Sequence, residues 1–203
     1  MRIKTFCLLV TVYCLLSTVC FAQDKLLLDD FEAGISGGPT GTVDFGSGGG
    51  SSVEVTAAKD IKYNGNQSLK VVFDAIPGGY MWIARGYGLD AKNSVWLLRP
   101  ETIDWGKYKG ISFYMYGSNS GTVVAVDIKD AGGELWRYLV TDHFKGWQKV
   151  ECLFSDFSVR SDWQPDSADN NGQLDFPVKS YQFEVLPEAK GAVYFDDVEL
   201  IGK

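Results

Sequence analysis

Along most of the chain, apolar residues recur at short spacing in runs closed by Gly, Asp, Asn or Pro, and many of these runs alternate polar with apolar positions. The runs are Lys25 to Phe31, Ser68 to Phe73, Gly110 to Tyr116, Thr122 to Lys129, Leu135 to Thr141, Trp147 to Phe154, Ser180 to Val185 and Ala192 to Ile201. Each reads as a β-strand with one face in a core and the other in solvent or a groove, and no long helix competes with them. The pattern predicts an all-β fold, a β-sandwich jelly roll of two antiparallel sheets with a concave ligand-binding face. The stretch from Gly34 to Ser52 holds eight glycines and reads as a flexible loop, because too little chain precedes it for an interdomain linker.

The first residues stand apart from this pattern. Arg2 and Lys4 precede an apolar run from Phe6 to Val19 that ends in Cys20-Phe21-Ala22, so residues 1–22 read as a signal peptide and residues 23–203 as a single domain. The run is shorter than the roughly 20 residues that span a bilayer. Val19 before Cys20 disfavours a lipid anchor at that cysteine. The expected product is therefore secreted, with no membrane partner.

Removing that segment changes charge and redox chemistry. The remainder carries 17 basic against 26 acidic residues, a net charge of about −9, which argues against nucleic acid and anionic membranes as partners. Three of the four cysteines leave with residues 1–22, and Cys152 alone cannot form an intrachain disulfide.

Catalytic chemistry is poorly represented. His143 is the only histidine and lies in a loop-like context, so neither a triad nor a multi-histidine zinc site assembles around it. Cys152 sits within an apolar strand and reads as a small core residue. Asp127, Glu134, Asp162 and Glu184 form no motif that pairs two carboxylates across a glycosidic bond, and acids at such strand positions read as solvating. The Gly48-Gly-Gly50 run lacks the Lys-Ser/Thr ending of a phosphate loop. An aromatic-rich sandwich without this apparatus suggests sugar binding, since Trp and Tyr faces stack on pyranose C–H groups while acids and amides take hydroxyls.

The order of motifs in the second half sharpens this reading: Trp136-Arg-Tyr, Gly146-Trp-Gln-Lys-Val, Phe154-Ser-Asp-Phe, Arg160-Ser-Asp-Trp-Gln-Pro165, Gly172-Gln-Leu-Asp-Phe and Val193-Tyr-Phe-Asp-Asp-Val-Glu-Leu-Ile-Gly202. With Leu28-Asp-Asp-Phe-Glu32, the Gly79-Tyr80 turn and Ile103-Asp-Trp-Gly-Lys-Tyr-Lys-Gly110, the sequence resembles the family 11 carbohydrate-binding modules over nearly all of residues 23–203. The resemblance implies a noncatalytic jelly roll that binds β-1,4 or mixed β-1,3/1,4 glucan chains, a polysaccharide partner shared with glycoside hydrolases. It implies ligand-binding roles for Tyr80 or Trp82 as a stacking platform, for Arg160, Asp162 and Gln182 as hydrogen-bonding groups, and for Trp163 where the family often has Tyr. It also implies a structural Ca²⁺ joining the first and last strands, held by Glu32 and Asp196 with carbonyls near Asn66. Departures lie at Gly132-Gly133 and Lys179, where the family has acids, and near Val185, where it has an aromatic. Phe45 is the only aromatic candidate near the N-terminal loop. Two other classes remain open at this stage: a small polysaccharide lyase or hydrolase on the same sandwich, and a protein-assembly module, since the sandwich also resembles a domain of complex I assembly factors.

Overall fold

A computed structural model describes residues 25–203, so the signal-peptide reading of residues 1–22 lies outside the described residues. Among the described residues, twelve strands form two six-stranded sheets, and every strand pairing is antiparallel. The first sheet runs β3 (Ser52–Ala58), β4 (Ser68–Ala75), β12 (Ala189–Gly202), β6 (Tyr108–Ser118) and β9 (Lys145–Leu153), with β1 (Lys25–Asp29) also on β12. The second runs β10 (Ser158–Val159), β8 (Leu135–Thr141), β7 (Val123–Lys129), β11 (Ser180–Val185), β5 (Tyr80–Gly86) and β2 (Asp44–Gly48). The only helical elements among the described residues are three 3-10 turns.

The period-two pattern explains the sandwich. In β11, Tyr181, Phe183 and Val185 are buried between the sheets while Gln182 turns outward. Phe183 stacks on Phe195 of β12 at 3.9 Å, and Phe113 of β6 meets both rings edge-on. Removing such a ring costs about 3–5 kcal/mol, so this trio is a main bond between the layers. A second bond is polar. Arg85 points inward from β5 and grips Asp29 at the end of β1 through two N–H groups, at 2.6 and 2.7 Å, and the Tyr181 hydroxyl donates to the same carboxylate.

The glycine-rich stretch differs from its sequence reading. Gly34 to Ser52 is not one flexible loop: Asp44–Gly48 is an edge strand paired with β5, and β3 begins at Ser52. Strands β2, β3, β5 and β10 add to the eight runs read from the sequence: β2 holds two glycines in five residues, β10 is two residues long, β5 is an unbroken apolar run from Tyr80 to Ala84, and β3 alternates but carries only small apolar residues, Val53, Val55 and Ala57.

Candidate functional site

The outward face of the second sheet holds a cleft of about 610 Å³. One register row crosses all six strands, from Asp44 through Ala84, Gln182, Asp127 and Arg137 to Ser158. Tyr80, Trp82, Gln182, Arg160, Asp162 and Trp163 all line this cleft, so the six residues named as ligand-binding from the sequence are brought together.

One end is aromatic. Tyr80 and Trp82 project from the same face of β5 with ring centroids 6.3 Å apart and planes 18° from parallel. The Trp82 indole N–H donates to Asp44 at 3.0 Å, and the other Asp44 oxygen accepts the backbone N–H of Asp90 at 2.8 Å. Tyr80 is 54% exposed.

The other end is charged. Asp127 is fully buried and receives Arg137 in a fork at 2.7 and 2.8 Å, Arg160 at 3.0 Å and the Gln182 amide at 3.4 Å. Arg137 also meets Glu184. Arg160 forks onto Asp162 at 3.0 Å through two nitrogens and reaches Glu184 at 3.2 Å. Burial opposes the Arg137 charge, but the bonds to Asp127 and the charges of Asp127, Glu184 and Asp162 outweigh it and hold the guanidinium above its ordinary pKa. Hydrogen bonding to Arg160 holds Asp162 below the usual carboxylate range, while burial pushes Glu184 up against the pull of both arginines.

These contacts divide the roles. All three guanidinium nitrogens of Arg160 donate to carboxylates, one of them also pairs with Glu184, and the residue is 8% exposed, so it positions its neighbours more than it offers donors. Asp162 is 59% exposed and keeps lone pairs for a ligand. Trp163 is 56% exposed and lies under the Arg160 guanidinium at 5.7 Å. Its loop is pinned by Gln164, whose amide accepts from the Leu135 N–H at 2.8 Å and donates to the carbonyls of Leu135 and Arg160, both at 2.9 Å.

Several sequence expectations change. Asp127 and Glu184 do not solvate the surface, because two arginines close over them. Phe45 does not enter the cleft: it occupies the inward register opposite Ile83 and packs against the core. Val185 is buried, so no platform stands there. Lys179 turns away to donate to the Ala131 carbonyl at 2.5 Å. Arg137, Gln164 and Asp44 were missed; Arg137 and Asp127 sit at matched outward positions inside apolar runs, and that placement was the available signal.

Of the residues assigned to calcium, Asp196 lies at a strand handover and Glu32 faces the same loop, and among the described residues no group of three or more His, Cys, Asp or Glu side chains is placed to hold a metal ion. The first half of β12 pairs with β4 and the second half with β1, with a register shift between Asp196 and Glu199. Glu32 accepts the backbone N–H groups of Asn66 and Gln67 and the Asn66 amide; Asp196 accepts those of Tyr63, Asn64 and Asp197. Both carboxylates therefore hold one loop. Asp196 is fully buried without an ion pair among the described residues, and burial pushes its carboxyl up to about 6. Each carboxylate retains acceptor capacity beyond these bonds.

The sequence profile of the carbohydrate binding domain (family 11) matches residues 18–203. The chain belongs to this family. Family 11 domains are noncatalytic binding domains, and this chain is a noncatalytic carbohydrate-binding module. Endoglucanase H of Acetivibrio thermocellus is 28% identical over 189 residues, which are 89% of this chain and 18% of that protein, so the chain spans under a fifth of this relative. Among solved structures, the family 11 module of the cellulosomal cellulase Lic26A-Cel5E of Clostridium thermocellum superposes with a TM-score of 0.67 at 24% identity, covering 90% of this chain and 96% of that one. The family 11 module from Clostridium thermocellum in complex with a β-1,3-1,4-mixed-linked tetrasaccharide gives 0.65 and 24%, covering 88% and 95%. These likenesses establish the jelly-roll fold for this family 11 module. Among the described residues, no helix is long and apolar enough to cross a membrane.

Proposed function

We propose that this module captures single chains of β-glucan, β-1,4 or mixed β-1,3/1,4 linked, in the cleft of the second sheet. The observation that carries the reading is the pairing, within one cleft of a family 11 chain, of exposed aromatic faces at both ends with an ion-paired polar floor between them. Tyr80, Trp82 and Trp163 would stack on pyranose faces, and Asp162 and Gln182 would take hydroxyls. The mixed-linkage tetrasaccharide bound by the structurally similar family 11 module supports this ligand class. Calorimetric titration with mixed-linkage and β-1,4 gluco-oligosaccharides should give dissociation constants of roughly 10–1000 μM. Absence of heat with every β-glucan would reject the reading.

The export reading rests on residues 1–22, and the likeness to an endoglucanase supports glucan-degrading glycoside hydrolases as partners on the same polymer. Calcium belongs to the same proposal. Glu32 and Asp196, with carbonyls of the loop around Asn66, would hold the ion and neutralise the buried Asp196 charge, locking β1 and the start of β4 onto β12. Calcium should raise the melting temperature and a chelator lower it without unfolding the module at room temperature. A melt indifferent to both would reject the site.

A further inference from the structure

The edge strand β2 places three residues on the cleft face: Asp44, Gly46 and Gly48. Gly46 lies opposite Trp82 and Gly48 opposite Tyr80. Neither glycine has a positive φ, so the backbone conformation does not demand glycine at either place. In a strand, glycine is the poorer choice, because it packs nothing and orders more costly backbone. Space explains both residues. A Cβ on Gly46 would lie 2.5 Å from Cη2 and Cζ2 of Trp82, and one on Gly48 would lie 2.5 Å from the Tyr80 hydroxyl oxygen, each well inside van der Waals contact.

The two rings therefore lie across bare backbone. Their planes are 18° apart, and Asp44 pegs the indole at the far end of the same strand face. Asp44 is itself held by the Asp90 and Ala91 N–H groups, so the peg is anchored to the neighbouring loop.

We propose that Asp44, Gly46 and Gly48 are positioning residues that lay Tyr80 and Trp82 flat as one continuous platform, so that this end of the cleft takes two consecutive pyranoses of a linear glucan rather than one. The inference rests on the glucan-binding reading and deepens it. The glycines act through the rings they underlie, and Asp44 acts through the indole N–H.

The test separates positioning from folding. In Gly46→Ala and Gly48→Ala the gain from removing strand glycine offsets the cost of displacing a ring on an outward face, so their melting temperatures should stay close to that of the parent. Their affinity for a mixed-linkage tetrasaccharide should nonetheless fall about three- to tenfold, as tilted rings lose part of their stacking. In the unliganded Gly46→Ala protein, the Trp82 indole N–H resonance should shift, a readout that needs no glucan and stays informative even if the parent protein binds none. Gly34→Ala, whose Cβ would meet nothing within 4 Å, serves as the control and should bind like the parent. Unchanged affinity and an unmoved indole resonance in Gly46→Ala would overturn the proposal. So would affinity loss that only tracks a falling melting temperature.

Discussion

The two outer faces of the sandwich are both rich in aromatic rings, yet they arrange them differently. On the cleft face, Tyr80 and Trp82 lie nearly parallel over glycine, and Trp163 stands more than half exposed at the other end. On the outer face of the first sheet, Trp147, Tyr116 and Tyr194 occupy one register row across β9, β6 and β12. There the rings meet edge to face, at 76° and 81°, with centroids 5.5 and 5.8 Å apart. Tyr63 folds over from a loop and stacks on Tyr114 at 3.4 Å. Most of these rings pack on one another, with Lys70 over Tyr194 extending the row, and Tyr63 alone stays 45% exposed. Aromatic content thus does not separate the two faces; what lies beneath each ring and beside it does.

The largest expected effect breaks the cleft face at its centre. Asp127→Ala leaves Arg137 and Arg160 without their shared buried partner, which should destabilise the module by about 3–5 kcal/mol and abolish glucan binding. Denaturant unfolding and calorimetry read the two losses. A matched pair of tryptophan variants sharpens the contrast. Trp163→Ala should cost about 1–3 kcal/mol of glucan affinity with little change in melting temperature. Trp147→Ala should do the reverse, lowering stability by about 1–3 kcal/mol through lost contacts with Tyr63 and Tyr116 while affinity holds.

The smallest effect concerns the exposed acid. Asp162→Asn keeps an acceptor for hydroxyls but weakens the Arg160 fork, and should reduce affinity by about 0.5–1.5 kcal/mol with stability almost unchanged, because the pair is solvent-screened on the Asp162 side. A large stability loss in this variant would mean that the Asp162 contact, rather than the buried Asp127 pairings, holds the loop.

The same comparison shows what sequence could convey. Ser180–Val185 was legible to the residue, because its sequence alternates polar and apolar throughout, and Leu135–Thr141 was legible by its apolar content although Leu135 and Leu139 break the alternation. The edge strand Asp44–Gly48 was hidden, because two of its three outward positions are glycines, over which rings from another strand lie. The site was legible where one motif carries it, as in Arg160-Ser-Asp-Trp163. It was illegible where it depends on pairing across strands: Arg137 and Asp127 are ten residues apart and become a fork only once β7 and β8 align. Burial of Asp127 and Glu184 likewise follows from those pairings, which no local pattern of polar residues announces.

The six tryptophans supply one measurement that bears on the central claim. Each indole N–H gives its own resonance, and titration of the module with a mixed-linkage gluco-oligosaccharide can follow all of them at once. Trp82 and Trp163 should shift with a common dissociation constant, while Trp147 on the outer face and the buried Trp96, Trp105 and Trp136 stay in place. Movement of Trp147 with Trp82 and Trp163 unmoved would contradict the account and put the glucan on the other sheet.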